Sequence, residues 1–126
     1  MSRNLLLVSA AVEAAAGTAL VLVPSAAVGL LIGGDLESPT ALAVVRLAGA
    51  ALVTLGFICW FASRDSQSRT AAGVVAALLF YNAAAVGILL YFTVGVGLTG
   101  LGAWPATIVH GALAAWCLAC VQRPVV

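Results

Sequence analysis

The stretch Val12-Glu13-Ala14-Ala15-Ala16-Gly17 decides the fold, because a single carboxylate here interrupts a long apolar run. That run extends from about residue 5 to residue 23, and about 20 apolar residues in a helix are enough to cross the hydrocarbon core of a bilayer. Three later apolar runs of similar length each contain one comparable polar residue, namely Arg46, Asn82 and His110. The pattern predicts an integral membrane protein with polar side chains inside its membrane-spanning part.

The composition supports a membrane protein. Of the 126 residues, 64% are hydrophobic and only 7% are charged, whereas a soluble domain carries roughly a quarter charged residues. So few charges cannot cover a water-facing surface, so most of the exterior is expected to contact lipid. The formal net charge of +1 leaves no basic patch for phosphates, which excludes a nucleic-acid partner. The length fits one domain comprising residues 1–126.

Four apolar stretches are long enough to span a bilayer as helices, at residues 5–23, 40–62, 70–92 and 103–121. The fold class predicted from them is all-α, an integral membrane four-helix bundle. The first stretch continues past Glu13 to Val23, longer than the apolar core of a cleavable signal peptide, which favours a retained helix.

The connecting segments contain recognisable helix boundaries. After Pro24, residues 25–32 predict a short helix lying in the membrane interface on the periplasmic side, ended by Gly33. Ser38 followed by Pro39 is typical of an N-cap with proline in the first helical position. Residues 63–69 predict a polar hairpin, and the glycine-rich residues 93–102 predict an uncharged outer loop.

The arginines predict the orientation of the four crossings. Four of them fall on one side of the membrane: Arg3, Arg64, Arg69 and Arg123. The opposite side carries Asp35 and Glu37 and no arginine or lysine. The positive-inside rule therefore predicts a multi-pass protein of the inner (plasma) membrane with both termini in the cytoplasm.

The polar residues inside the four runs are the candidate site. Glu13, Asn82 and His110 lie near mid-depth, and Arg46 lies in the outer half. A charge at the centre of a membrane helix costs about 2.5–3.5 kcal/mol. Small residues, which mark close helix packing, share a face with Glu13, Arg46 and His110, whereas the face of Asn82 is bulkier. We therefore expect Glu13 and Arg46 to converge, with Asn82 and His110 completing a buried network, to which Tyr81 could add a hydroxyl. The alternative is that these polar groups only hold the helices together.

A buried network of this kind favours a protein that binds or transports a small polar or amphipathic ligand, proton-coupled through Glu13, with Arg46 attracting an anionic group. One alternative is an accessory or assembly subunit of a larger membrane complex. Another, less favoured, is an intramembrane enzyme using Glu13 and His110 as acid and base on a lipid-like substrate, and no catalytic residue is assigned. The expected partners are membrane lipid, a small-molecule ligand, and either a second copy or a partner membrane protein.

The three cysteines and the single histidine are the residues that could bind a metal or haem. Cys117 and Cys120 form a C-x-x-C pair, and Cys59 stands alone. Without a second such pair, apolar packing is the favoured interpretation, with a redox or soft-metal role as the alternative. A haem held by two histidines of one chain is excluded, because His110 is the only histidine. We expect neither a cofactor nor a metal site.

Overall fold

The computed structural model describes residues 2–98 and 100–122, and within these residues the chain forms helices and no strands. The helices are α1 (Ser2–Leu22), α2 (Pro24–Ile32), α3 (Pro39–Arg64), α4 (Arg69–Leu90) and α5 (Ala103–Val121). The all-helical class and the four long helices predicted from the sequence are confirmed, as is a short helix after the first long one.

The boundaries of α2 and α3 follow from the residues at their ends. The Ser38 side chain accepts a hydrogen bond from the Ala41 amide at 3.0 Å, with Pro39 in the first turn. Gly33 ends α2 with φ of 73°, a left-handed conformation that glycine adopts without steric cost. The predicted caps at Ser38 and Gly33 are confirmed.

The predicted outer loop from residue 93 begins too early. After α4 the chain continues as a π-helical segment, Tyr91–Val96, and this segment ends at Gly97, where φ is 80°. Apolar residues continue through Val96, and one glycine at position 95 does not stop a helix. The left-handed backbone at Gly97 does, so the connection to α5 is shorter than predicted.

Four helices are long and apolar enough to cross a membrane, and they fit a multi-pass membrane protein. They are α1, α3, α4 together with its π-helical extension, and α5, with 21, 26, 28 and 19 residues. About 20 residues are needed to cross the hydrocarbon core. Helix α2, with 9 residues, is too short to do so.

The long helices pack as two pairs. Helix α1 packs antiparallel against α3, α4 packs against α5, and packing within each pair is more extensive than packing between them. The Ser2 hydroxyl donates to the Ser66 carbonyl at 3.3 Å, which places the start of α1 beside the α3–α4 turn. At the opposite end, the Gly102 amide donates to the Leu30 carbonyl at 2.8 Å and ties α2 to the start of α5.

Glycines set the contact between α1 and α3. A Cβ atom built on Gly17 would lie 2.5 Å from the Gly49 carbonyl oxygen and 2.7 Å from the Val53 amide nitrogen. One built on Gly56 would lie 3.1 Å from the Ala10 carbonyl oxygen. The two backbones therefore touch, as small residues allow between membrane helices. These contacts fix the axial register of the pair.

An apolar core lies in the half of the molecule that contains the N-terminus. All four long helices contribute to it, through Leu5, Leu6, Ala10, Cys59, Ala71, Val75, Leu78, Leu113 and Cys117. Cys59 and Cys117 are fully buried among these side chains, which supports the packing interpretation of the two thiols.

Candidate functional site

Glu13 lies next to the apolar core, three residues after Ala10, on the face of α1 that points into the molecule. Its side chain is 1% exposed. The Tyr81 hydroxyl of α4 donates to Glu13 Oε2 at 3.2 Å. The other oxygen, Oε1, is buried and has no hydrogen-bond partner among the described residues. One of the two oxygens of this carboxyl group is therefore unpaired within these residues.

Ser9 presents a second unused oxygen on the same face. It precedes Glu13 by four residues, one turn of helix. Its side chain is 0% exposed, and its hydroxyl has no partner within the part of the chain that the structure describes. The sequence interpretation did not assign Ser9 to the site. The four-residue spacing from Glu13 was the signal that could have done so.

Asn82 is fully buried at 0% exposure, and its two polar atoms are both engaged. The amide nitrogen Nδ2 donates to the Leu78 carbonyl at 2.8 Å, and Oδ1 lies 2.8 Å from His110 Nδ1. A carbonyl only accepts, so the contact with Leu78 fixes which end of the amide is NH₂. The oxygen must therefore face the histidine.

His110 is held in one tautomer by this arrangement. Because Asn82 Oδ1 only accepts, His110 Nδ1 must carry a proton and donate it, which leaves Nε2 of the neutral ring with a free lone pair. The His110 ring also meets the Tyr81 ring edge-on, with 5.7 Å between centroids and 82° between planes. Tyr81 thus contacts both Glu13 and His110. We call Ser9, Glu13, Tyr81, Asn82 and His110 the polar cluster.

Arg46 lies outside the polar cluster. Its side chain is exposed on α3, and the Glu13 carboxyl has Tyr81, not Arg46, as its partner. The expected convergence of Glu13 and Arg46 is therefore wrong. The reason is the register: Glu13 lies level with α3 between Val53 and Gly56, seven to ten residues beyond Arg46. At 1.5 Å per residue this is roughly 10–15 Å along the axis, farther than an arginine side chain reaches.

Double-mutant cycles should distinguish Tyr81, which contacts Glu13, from Arg46, which does not. We expect Glu13→Gln and Arg46→Met to change the free energy of unfolding additively, within about 0.5 kcal/mol, since the residues share no contact. Glu13→Gln and Tyr81→Phe should be coupled by more than about 0.5 kcal/mol, because they share a hydrogen bond. The measurement is unfolding in mixed micelles. Coupling of Arg46 equal to that of Tyr81 would contradict this geometry.

A shallow groove lies elsewhere, beside the α3–α4 turn. It is lined by side chains of both helices, including Ile58, Phe61, Asp65 and Val74, and by no member of the polar cluster. Among the described residues, no group of three or more histidine, cysteine or acidic side chains is placed to hold a metal ion.

The polar cluster therefore consists of one carboxyl, one imidazole, two hydroxyls and one amide, drawn from both helix pairs. A charged carboxylate with a single hydrogen bond is costly to bury, and a proton or a bound cation removes that cost.

Comparison of the chain with protein-family models, curated proteins and solved structures finds no match.

Proposed function

We propose that the four long helices cross the membrane as a bundle, with both termini in the cytoplasm and α2 at the periplasmic surface. Arg3, Arg64 and Arg69 lie at the end where Ser2 contacts the α3–α4 turn, and this distribution supports a cytoplasmic location for that end. Asp35 and Glu37 precede α3 at the other end. Arg123, which contributed to the predicted orientation, lies outside the described residues.

This topology predicts a labelling pattern for two single-cysteine variants made in a background without Cys59, Cys117 and Cys120. We expect Glu37→Cys to react with a membrane-impermeant maleimide on intact spheroplasts, because it would face the periplasm. We expect Gln67→Cys to react only after lysis. The reverse pattern, or equal labelling of both before lysis, would contradict the proposed orientation.

Within this bundle, we propose that the polar cluster binds a small polar or amphipathic ligand and that the protein transports this ligand. Glu13 exchanges a proton as the ligand binds. The observation that carries the proposal is the pair of unused buried oxygens, Glu13 Oε1 and Ser9 Oγ. Leaving a buried polar group without a partner costs about 1–3 kcal/mol. A cluster that only joined helices would be expected to pair its own oxygens, so unpaired ones favour a site for a ligand.

The weaker packing between the two helix pairs supports a route by which a ligand reaches the polar cluster. The α1–α3 pair and the α4–α5 pair contact each other less extensively than the helices within each pair do. At the depth of the polar cluster, the hydrogen bond from Tyr81 to Glu13 joins the two pairs. Parting of the pairs would break this one bond and open the cluster, while the backbone contact between α1 and α3 keeps that pair rigid.

A subunit of a larger membrane complex is the second candidate, and Arg46 is the observation in its favour. The guanidinium is exposed on α3, in a stretch of the helix where the apolar side chains of Val44 and Leu47 are also exposed. A cation on such an apolar helix surface is costly in lipid and is stabilised by a counter-charge. A partner chain, either a second copy or another membrane protein, would supply one.

Native mass spectrometry of the protein released gently from its own membrane tests the two candidates. If the polar cluster is a ligand site, a reproducible extra mass should accompany the wild-type chain and Arg46→Met and be absent from Glu13→Gln. A bare chain in all three samples would contradict the ligand proposal. Release of a larger protein with the wild-type chain, lost in Arg46→Met, would support the subunit candidate.

A further inference from the structure

We infer that the ligand of the polar cluster is an amphipathic ammonium cation, a primary or secondary amine with an apolar body. This inference rests on the proposed function and specifies the chemical class of its ligand. It depends on which hydrogen-bonding groups remain unused in the cluster and on where the fixed positive charges of the chain lie.

Once Glu13 has released its proton, the unused hydrogen-bonding capacity of the cluster is mostly that of acceptors. Glu13 Oε1 has no partner, and His110 Nε2 keeps its lone pair because Nδ1 donates to Asn82. The Tyr81 hydroxyl already gives its proton to Glu13, so it has only lone pairs left. The free donors are the Ser9 hydroxyl, whose oxygen can also accept, and the second N–H of Asn82, since only one N–H of that amide donates to a backbone carbonyl. A ligand rich in N–H donors matches this set, whereas a carboxylate or phosphate does not.

The fixed charges point to the same class. Glu13 is the one acidic side chain of the polar cluster, and no arginine accompanies it, because Arg46 lies roughly 10–15 Å away along α3. Arg3 and Arg64 lie at the ends of their helices. An anion entering the cluster would face a carboxyl group without a fixed cation to balance it, whereas an ammonium group would be attracted to it.

The apolar side chains around the cluster favour a ligand with an apolar body. The residues one turn from its members belong to the apolar core, among them Ala10, Leu78 and Leu113.

Charge is conserved if the ammonium replaces a proton: the O–H bond of the Glu13 acid breaks, the proton leaves to water, and an N–H···O hydrogen bond to the carboxylate forms. The site then carries no net charge both before and after binding.

Three probes of similar size but different charge test this class: 2-phenylethylammonium, 3-phenylpropionate and neutral 2-phenylethanol. The readout is the midpoint of thermal unfolding, followed by tryptophan fluorescence, at increasing probe concentration. We expect 2-phenylethylammonium to raise the midpoint saturably in the wild-type chain and in Arg46→Met, and not in Glu13→Gln. The other two probes should have no saturable effect.

Ser9→Ala provides a second variant that removes one buried oxygen and breaks no observed hydrogen bond. The apparent affinity for the ammonium should fall about fivefold, the equivalent of one hydrogen bond. An equal response to all three probes, or no response to any, would overturn the inference. A saturable response to 3-phenylpropionate alone, lost in Glu13→Gln, would overturn the ligand class and leave the ligand site standing.

Discussion

Replacing Gly17 by alanine is expected to lower the free energy of unfolding by about 1–3 kcal/mol, as overpacking of a tight interior does. The added methyl group would lie 2.5 Å from the Gly49 carbonyl oxygen and 2.7 Å from the Val53 amide nitrogen. Both are backbone atoms and cannot rotate away, so α1 and α3 would have to separate. Unfolding in mixed micelles, followed by circular dichroism, measures the loss.

Gly111→Ala is the matched control. Gly111 also lies within a helix, but a Cβ atom built on it would meet nothing within 4 Å. The substitution should leave stability unchanged or raise it by up to about 1 kcal/mol, because alanine favours helix over glycine. Equal losses for Gly17→Ala and Gly111→Ala would show that α1 and α3 do not approach as closely as described.

Asn82→Leu is the second substitution with a large expected effect, a loss of about 1–3 kcal/mol in the free energy of unfolding. Leucine is close to asparagine in size but cannot accept a hydrogen bond. The proton on His110 Nδ1 would lose its acceptor, now 2.8 Å away, inside a site where Asn82 is 0% exposed. The measurement is the same unfolding experiment.

Two variants calibrate this loss. Asn82→Asp keeps an oxygen that can face His110 and should retain part of the stability. Thr54→Val removes a hydroxyl that bonds the Ala50 carbonyl at an exposed position of α3, and should cost less than about 0.5 kcal/mol. If Asn82→Leu cost no more than Thr54→Val, the bond between Asn82 and His110 would not be a structural element of the buried cluster.

The helices could be predicted from the sequence because their causes are local. An apolar run of bilayer length, a serine before a proline, and a glycine at a left-handed position each act within a few residues of where they stand. The end of the fourth run could not be placed as well, since glycine-rich composition around Gly95 suggested a loop. The helical backbone persists to Val96 there, and only Gly97 adopts a positive φ.

The site was less predictable because it depends on how helices align. Gly17 and Gly49 lie in the contact between α1 and α3, as the small residues on these faces predicted, but Arg46, which was assigned to the same face as Gly49, is exposed. Face periodicity also does not determine the axial register between two helices. That register places Arg46 too far from Glu13. Asn82, whose face is bulky, is nonetheless fully buried, because a bulky apolar face also packs into a core.

The single histidine gives the most direct measurement of the polar cluster, since ¹⁵N-labelled histidine reports on one ring only. In lipid nanodiscs, we expect the ¹⁵N spectrum of His110 to show a protonated Nδ1 and an unprotonated Nε2. The ring signals should change in Asn82→Leu and also in Glu13→Gln, through the shared contact with Tyr81. A ring protonated at Nε2 instead, with signals unaffected by either substitution, would contradict the existence of one buried cluster joining the two helix pairs.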